Sequence, residues 1–278
     1  QLGYMVYAVG VGGVFASQFH LLSHAVFKAL LFLSAGAVIH SVGTRDMGKM
    51  GALGEKMPFI RNVFVIGAIA LAGIPPMNGF WSKESILEAG LKHGPFWAFL
   101  GMLVGVGLTG FYTIRMTWLV FFGTARENLH IHASGNAVKI STGVLAVGAV
   151  FIWLVVQPFS SLLKNTLPFH EIESVSILGL MNELFLAPVT WVAISVMFVG
   201  VLFWYLLEKK WQPKVGMEWF DALVESGFGF DWFNAQMVAM VNNFASQLQR
   251  FQTGELNWNI LGIVGALLLV LASLVWGM

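Results

Sequence analysis

The sequence predicts an all-α membrane protein with about seven transmembrane helices, one of them broken, and one amphipathic helix. Of its 278 residues, 57% are hydrophobic and only 10% are charged, a composition far outside that of soluble domains. The apolar residues form runs of about the 20 residues that a helix needs to cross a bilayer. Each of these runs is predicted as one span: 2–17, 19–41, 59–92, 95–122, 138–163, 188–207 and 258–277.

The third run is interrupted near its middle by Gly73, Pro75, Pro76 and Gly79, and a short helix over 82–92 is predicted to follow. Non-helical backbone at membrane depth is tolerated only beside protein or a water-filled cavity, and transporters place ion sites at such points. We therefore predict a broken helix. The alternative is a proline kink followed by a plain loop.

Residues 232–251 are predicted to form an amphipathic helix that does not span the membrane. Apolar side chains recur there at steps of three and four, and asparagine and glutamine occupy the other face. Its polar face carries a single cation, Arg250. We therefore predict that the helix packs along neighbouring protein rather than on anionic lipid head groups.

Composition also excludes several classes of function. The chain has no cysteine, which excludes Cys-ligated iron–sulfur clusters, zinc knuckles and thiol catalysis, so we expect no cofactor here. A formal charge of +1 without a run of Lys and Arg residues excludes nucleic-acid binding as a predicted function. Because the chain opens with Gln1 and its first residues lack Lys and Arg, we expect an N-terminal part to exist as a separate chain or to be lost by cleavage.

The second run carries three ionisable side chains, His20, His24 and Lys28, at successive intervals of four. They share one helix face over roughly 12 Å of axis. Lysine at membrane depth usually faces a bundle interior or water, and histidine titrates in the range that a proton shuttle needs. We predict a proton-carrying row. The alternatives are hydrogen-bonded core histidines and a zinc site at the two histidines.

A second pair, Lys83 and Glu84, follows directly after the predicted break. A lysine there is well placed to meet a water path, with Glu84 as its partner or as a second proton site. The alternative is an interfacial lysine that pairs with Glu88.

Supporting roles are predicted for residues near the ends of spans. Tyr112 and Arg115 share a face of the fourth run, and the arginine is predicted to anchor a loop or neutralise a carboxylate. His40 and His93 are candidate relays for proton access or release. The three remaining histidines, at 130, 132 and 170, are predicted to lie in loops without a role.

Five motifs in order carry a resemblance to a known family: QLGYM, FHLLSHAVFKALLFLSAGAVIH, RDMGKMGALGEKMP, LAGIPPMNGFWSKESIL and FYTIRMTWLVFFG. They resemble the antiporter-like, proton-translocating subunit L family of NADH-quinone oxidoreductase, respiratory complex I. The match is dense over residues 1–123. Beyond 140 it thins, although GFGFDWF and LQRFQTGELNW also resemble the C-terminal region of that family.

The resemblance implies a proton channel of two inverted five-helix repeats, of which residues 1–122 would be most of the second. It implies that Lys28 is the central lysine, that His20 and His24 are its connectors, and that Lys83 is the lysine of the broken helix. Glu84 takes the place of an acidic residue that is commonly aspartate.

The resemblance also implies an organisation: the half-channel over 1–123, additional spans over 124–207, a lateral segment over 208–257 and a C-terminal anchor over 258–278. Two departures stand out. The first repeat with its Lys–Glu pair is absent, and between Asp231 and Asn257 the lateral helix reaches at most roughly 39 Å, less than the family's.

The implied function is a membrane subunit of a redox-driven translocase, multi-pass in the cell inner membrane or an equivalent energy-transducing membrane. NADH, flavin, iron–sulfur clusters and quinone are expected in partner subunits, and other membrane subunits and the missing N-terminal half are expected as partners. The alternatives are the large subunit of a multi-subunit cation/proton antiporter, a membrane-bound hydrogenase subunit, and a fragment that only braces a complex.

Overall fold

The computed structural model describes residues 1–124, 135–167, 170, 172–210, 227–251 and 256–276, and the regular elements in these ranges are all helical. The predicted all-α class is confirmed. The chain divides into two compact units, 1–211 and 212–278. The first unit contains α1 (Leu2–Gly10), α2 (Val14–Val42), α3 (Leu53–Lys56), α4 (Pro58–Ala72), α5 (Asn78–His93), α6 (Phe96–Thr117), α7 (Asn136–Phe151), α8 (Val156–Thr166), α9 (Ile177–Leu186) and α10 (Pro188–Lys210), and the second contains α11 (Phe230–Phe251) and α12 (Leu256–Trp276).

Four helical stretches of the described residues are long and apolar enough to cross a membrane. They are Val14–Val42, Phe96–Phe122, Asn136–Thr166 and Pro188–Glu208. The second ends in a π-helical turn, Trp118–Phe122, and the third contains a 3-10 turn, Ile152–Val155. Three shorter apolar helices are Pro58–Ala72, Ile177–Leu186 and Ile260–Trp276. The total of seven spans stays a prediction.

The first predicted span, 2–17, is wrong because the chain turns inside it. Helix α1 ends at Gly10, and α2 begins at Val14. Gly12 has φ 84°, a left-handed conformation that favours glycine, and a Cβ on Gly13 would lie 2.9 Å from the Ala89 Cβ. The turn folds α2 back beside α1, where the Ser17 hydroxyl donates a hydrogen bond to the carbonyl of Met5 at 2.9 Å.

The predicted broken helix is confirmed. Helix α4 ends at Ala72, where Gly73 adopts φ 82°, and the chain becomes helical again only at Asn78. The second half is therefore longer than the predicted 82–92. A Cβ on Gly79 would collide with the carbonyl oxygen of Ala70, so glycine is required for the two halves to approach this closely.

The first unit is built around α2, which packs against α4, α5 and α7, and around a close pair formed by α6 and α10. A Cβ on Gly200 would collide with the Gly107 carbonyl oxygen, and one on Gly110 would lie 2.5 Å from the carbonyl oxygen of Met197. These contacts hold α10 against α6, and α10 also packs against α5. The predicted functional boundary at residue 123 crosses this compact unit and stays a prediction.

In the second unit, α11 covers the predicted amphipathic stretch 232–251. Its large apolar side chains for which exposure is described are exposed, from Met237 at 42% to Phe230 at 69%. Helix α12 matches the last predicted span, 258–277, to within two residues. Residues 211–226 and 252–255 of the predicted lateral segment lie outside the described residues, as do His130 and His132.

Candidate functional site

Lys83 lies on α5, and its side chain reaches back into the helix break. Its side chain is 1% exposed, and its Nζ donates hydrogen bonds to the carbonyl oxygens of Leu71 at 2.8 Å and Ala72 at 3.4 Å. These carbonyls end α4, where the unwinding chain leaves them without a helical partner and with partial negative charge. The alternative pairing of Lys83 with Glu88 is wrong, because Glu88 binds Lys92 at 2.9 Å.

Glu84 points away from the break, toward the first turn of α10. It is 2% exposed, and its carboxylate interacts with the hydroxyl of Thr190. Neither Glu84 Oε2 nor Thr190 Oγ1 has a hydrogen-bond partner of good geometry within the described part of the chain. A buried oxygen without such a partner is unfavourable, and a proton or a water molecule would satisfy it.

His20 connects α2 to the same stretch of α5. It is fully buried, with Nδ1 2.9 Å from Ser82 Oγ and Nε2 3.0 Å from Gln1 Oε1. Ser82 Oγ also lies 3.1 Å from the carbonyl oxygen of Asn78, to which it donates. Both ring nitrogens of His20 are thus engaged, which leaves neither of them free for the zinc site considered above. His20, Ser82, Lys83 and Glu84 are called the break cluster from here on.

The rest of the predicted row, His24 and Lys28, is called the open end. The rings of His20 and His24 have centroids 6.2 Å apart, and His24 interacts electrostatically with Lys28. Each step of four residues rotates about 40° around the helix, so the row turns away from α5. Both side chains are half-buried, and the Lys28 ammonium lies 5.2 Å from the centroid of the exposed Phe32 ring.

The structure does not bring the predicted supporting residues to the break cluster. Tyr112 is 42% exposed on the outer face of α6, and Arg115 is exposed one turn further on. His40 is exposed in the last turn of α2, about 30 Å along the axis from His20.

Three members of the site were not predicted: Ser82, Thr190 and Asn78. The side-chain amide of Asn78 donates a hydrogen bond to the carbonyl of Ser23 at 3.1 Å. Ser82 and Asn78 lie on the same helix as Lys83, and their polar character in an apolar stretch was the available indication. Thr190 comes from α10, more than one hundred residues away, and no local pattern marks it.

Comparison with known proteins finds relatives along most of the chain. Residues 1–109 match the family described as NADH:quinone oxidoreductase/Mrp antiporter, TM. NADH-quinone oxidoreductase subunit L of Rickettsia bellii is 42% identical over 175 residues, which are 62% of this chain and 27% of that protein. The same subunit of Rickettsia felis is 37% identical over 206 residues, 73% of this chain and 32% of that protein.

A chloroplastic relative also matches a large part of this chain and a small part of its own length. NAD(P)H-quinone oxidoreductase subunit 5 of Mesostigma viride is 47% identical over 154 residues, 52% of this chain and 23% of that protein. The chain thus spans less than a third of the length of these relatives. Among solved structures, an Mrp complex from Dietzia sp. superposes on all of this chain and 30% of its own with a TM-score of 0.61, at 22% identity, which shows a shared fold.

Proposed function

We propose that this chain forms part of a proton-translocating membrane subunit. The proposal starts from the match of residues 1–109 to the family described as NADH:quinone oxidoreductase/Mrp antiporter, TM. The curated relatives at 37–47% identity are subunits of NADH-quinone and NAD(P)H-quinone oxidoreductases, which supports a redox-driven complex. In that complex, quinone reduction elsewhere drives proton movement through this subunit.

The observation that carries the proposal is Lys83 in the helix break, hydrogen-bonded to two backbone carbonyls and followed by the buried Glu84. In a low-dielectric site the protonation of an amine depends strongly on the charges beside it. When the ammonium releases a proton, one N–H bond breaks and the neutral amine still donates to the carbonyls. A small change in neighbouring charge is therefore enough to load or unload Lys83.

The proposed route continues from the break cluster through the open end. His20 links to α5 through Ser82, and His24 and Lys28 follow at steps of about 6 Å along α2. Such steps are short enough for protons to pass through intervening water. The relatives are more than three times as long as the matched region, and we propose that the remainder of such a protein covers the half-buried Lys28.

The proposal places the subunit in the cell inner membrane or an equivalent energy-transducing membrane, together with other membrane subunits and with the part of the relatives' length that this chain does not span. NADH, flavin, iron–sulfur clusters and quinone would be held by partner subunits. This chain would perform no redox chemistry of its own.

The test uses the complex purified with its native partners and reconstituted in vesicles. Proton movement is followed while a donor reduces quinone, with electron transfer measured in parallel and with no sodium gradient. The proposal predicts proton pumping that starts and stops with electron flow. Proton movement that requires an imposed sodium gradient and ignores electron flow would contradict it and support the antiporter alternative.

A further inference from the structure

A cavity of about 520 Å³, lined in part by ionisable side chains, lies beside the second half of α5. Its walls are the turn between α1 and α2, the outer end of α5, and the residues before and within α9. The turn contributes glycines at positions 12 and 13, which leave the space open. The ionisable side chains that line the cavity are Glu88, Lys92, His93, His170, Glu173 and Glu183. His93, which was predicted as a relay for proton access or release, lines this cavity. His170, which was assigned no role, lines it as well.

A row on α5 leads from the break cluster toward this cavity. Glu84, Glu88 and Lys92 follow one another at intervals of four, so they share a face and span about 12 Å of axis. Exposure rises along the row: residue Glu84 is 2% exposed, and the side chains of Glu88 and Lys92 are 13% and 53% exposed. The row therefore connects a buried carboxyl group with the surface.

The outer end of the row is held by two ion pairs. Lys92 Nζ lies 2.9 Å from a carboxylate oxygen of Glu88 and 3.2 Å from one of Glu183 on α9. Glu88 is thereby fixed between the lysine at the mouth of the cavity and the buried Glu84, with which it interacts electrostatically. A negative charge on Glu88 consequently favours the protonated form of Glu84.

We propose that Glu88 carries protons between Glu84 and this cavity, which acts as an aqueous vestibule for the break cluster. This inference rests on the proposed function. In the transfer, the O–H bond of protonated Glu84 breaks and an O–H bond forms on the Glu88 carboxylate, directly or through one water molecule. Glu88 then passes the proton to water in the cavity, and Lys92 stabilises the carboxylate that remains. The reverse sequence loads Glu84.

Water access is tested by thiol labelling, which is simple because these 278 residues contain no cysteine. Ser85 lines the cavity, whereas Thr142 is fully buried in α7 away from it. In the assembled complex, a membrane-impermeant maleimide should label Ser85→Cys and leave Thr142→Cys unlabelled. An assembled complex in which Ser85→Cys stays unlabelled from both sides of the membrane would overturn the vestibule.

Proton transfer is tested in vesicles with Glu88→Gln, which keeps the size of the side chain and removes its titration. Redox-driven pumping should fall about tenfold, since a positioned proton carrier typically contributes at least this much. Glu88→Asp should restore at least half of wild-type pumping, and Glu55→Gln, an exposed carboxylate on α3, should match wild type.

Lys83→Met is measured alongside to separate the two proposals. Normal pumping by Glu88→Gln with blocked pumping by Lys83→Met would overturn the role of Glu88 and leave the proposed function standing. Normal pumping by both variants would contradict the proposed function itself. An equal loss in Glu88→Gln and Glu88→Asp would indicate a structural role for the Glu88–Lys92 pair and would also overturn the inference.

Discussion

The break cluster and the open end adjoin at His20, the first residue of the α2 row, but they differ in what encloses them. Lys83 and Glu84 are buried among helices of this chain. The Lys83 ammonium binds backbone carbonyls at the end of α4, and the Glu84 carboxylate lies beside Thr190 of α10. Lys28 instead lies half-buried against an exposed phenylalanine ring. The chain thus completes one end of the site from its own residues and leaves the other open.

The two regions therefore depend on different contacts. The break cluster depends on close helix packing within the first unit, so changes in that packing should disrupt both the fold and proton movement. The open end depends on whatever covers α2 in the assembled complex, so changes there should affect proton movement with little effect on the fold.

The largest effect is expected for Gly79→Ala, which breaks the enclosed end. The added methyl group would collide with the Ala70 carbonyl oxygen and force α4 and α5 apart, at a cost of about 3 kcal/mol or more. We expect a native gel of the Gly79→Ala variant to show little assembled complex. Gly101→Ala is the control, because within the described part of the chain its added Cβ would meet no atom of another element within 4 Å, and its assembly should be normal. Equal yields of the two variants would contradict the close approach at Gly79.

Lys28→Ala tests the open end. The side chain packs mainly against an exposed ring, so the thermal stability of the complex should change little, whereas redox-driven pumping should fall about tenfold if Lys28 carries protons. Pumping and melting temperature are measured on the same preparation. Wild-type pumping in a stable complex would remove Lys28 from the route.

Ser82→Ala removes the hydrogen bond that joins the two ends at His20. Loss of one such bond corresponds to about 1 kcal/mol, so pumping should fall about fivefold. Ser141→Ala is the matched control, since its hydroxyl only donates to Ala137 of its own exposed helix turn. If both serine variants pump alike, the contact between His20 and Ser82 has no role in proton transfer.

The smallest effect is expected for His40→Gln. His40 is exposed at the end of α2 and far from His20, so pumping should remain within about twofold of wild type, the scatter expected for surface substitutions. A loss as large as that of Lys28→Ala would restore the relay role predicted for His40 from the sequence.

The sequence was sufficient for the features that depend on local composition. The glycines and prolines between 73 and 79 predict the break, and Lys83 follows it closely enough for its side chain to reach the break. The turn between α1 and α2 was missed because Val11 keeps the run apolar, although the adjacent Gly12 and Gly13 were a usable indication.

Features that depend on the packing between helices were not predictable from periodicity. A spacing of four places His20 and Lys28 on one face of their own helix, but it does not say which neighbour that face meets. The contact of His20 with Ser82, the position of Thr190 beside Glu84 and the pairing of Lys92 with Glu183 of α9 all required the tertiary arrangement.

The most direct test of the central claim is redox-driven proton pumping by Lys83→Met in the complete complex, with electron transfer recorded in the same vesicles. Lys139→Met, an exposed lysine on α7, is the control. We predict that Lys83→Met pumps at less than about a tenth of the wild-type rate in an assembled complex and that the control is normal. Wild-type pumping by assembled Lys83→Met would contradict the assignment of the helix break as a proton site.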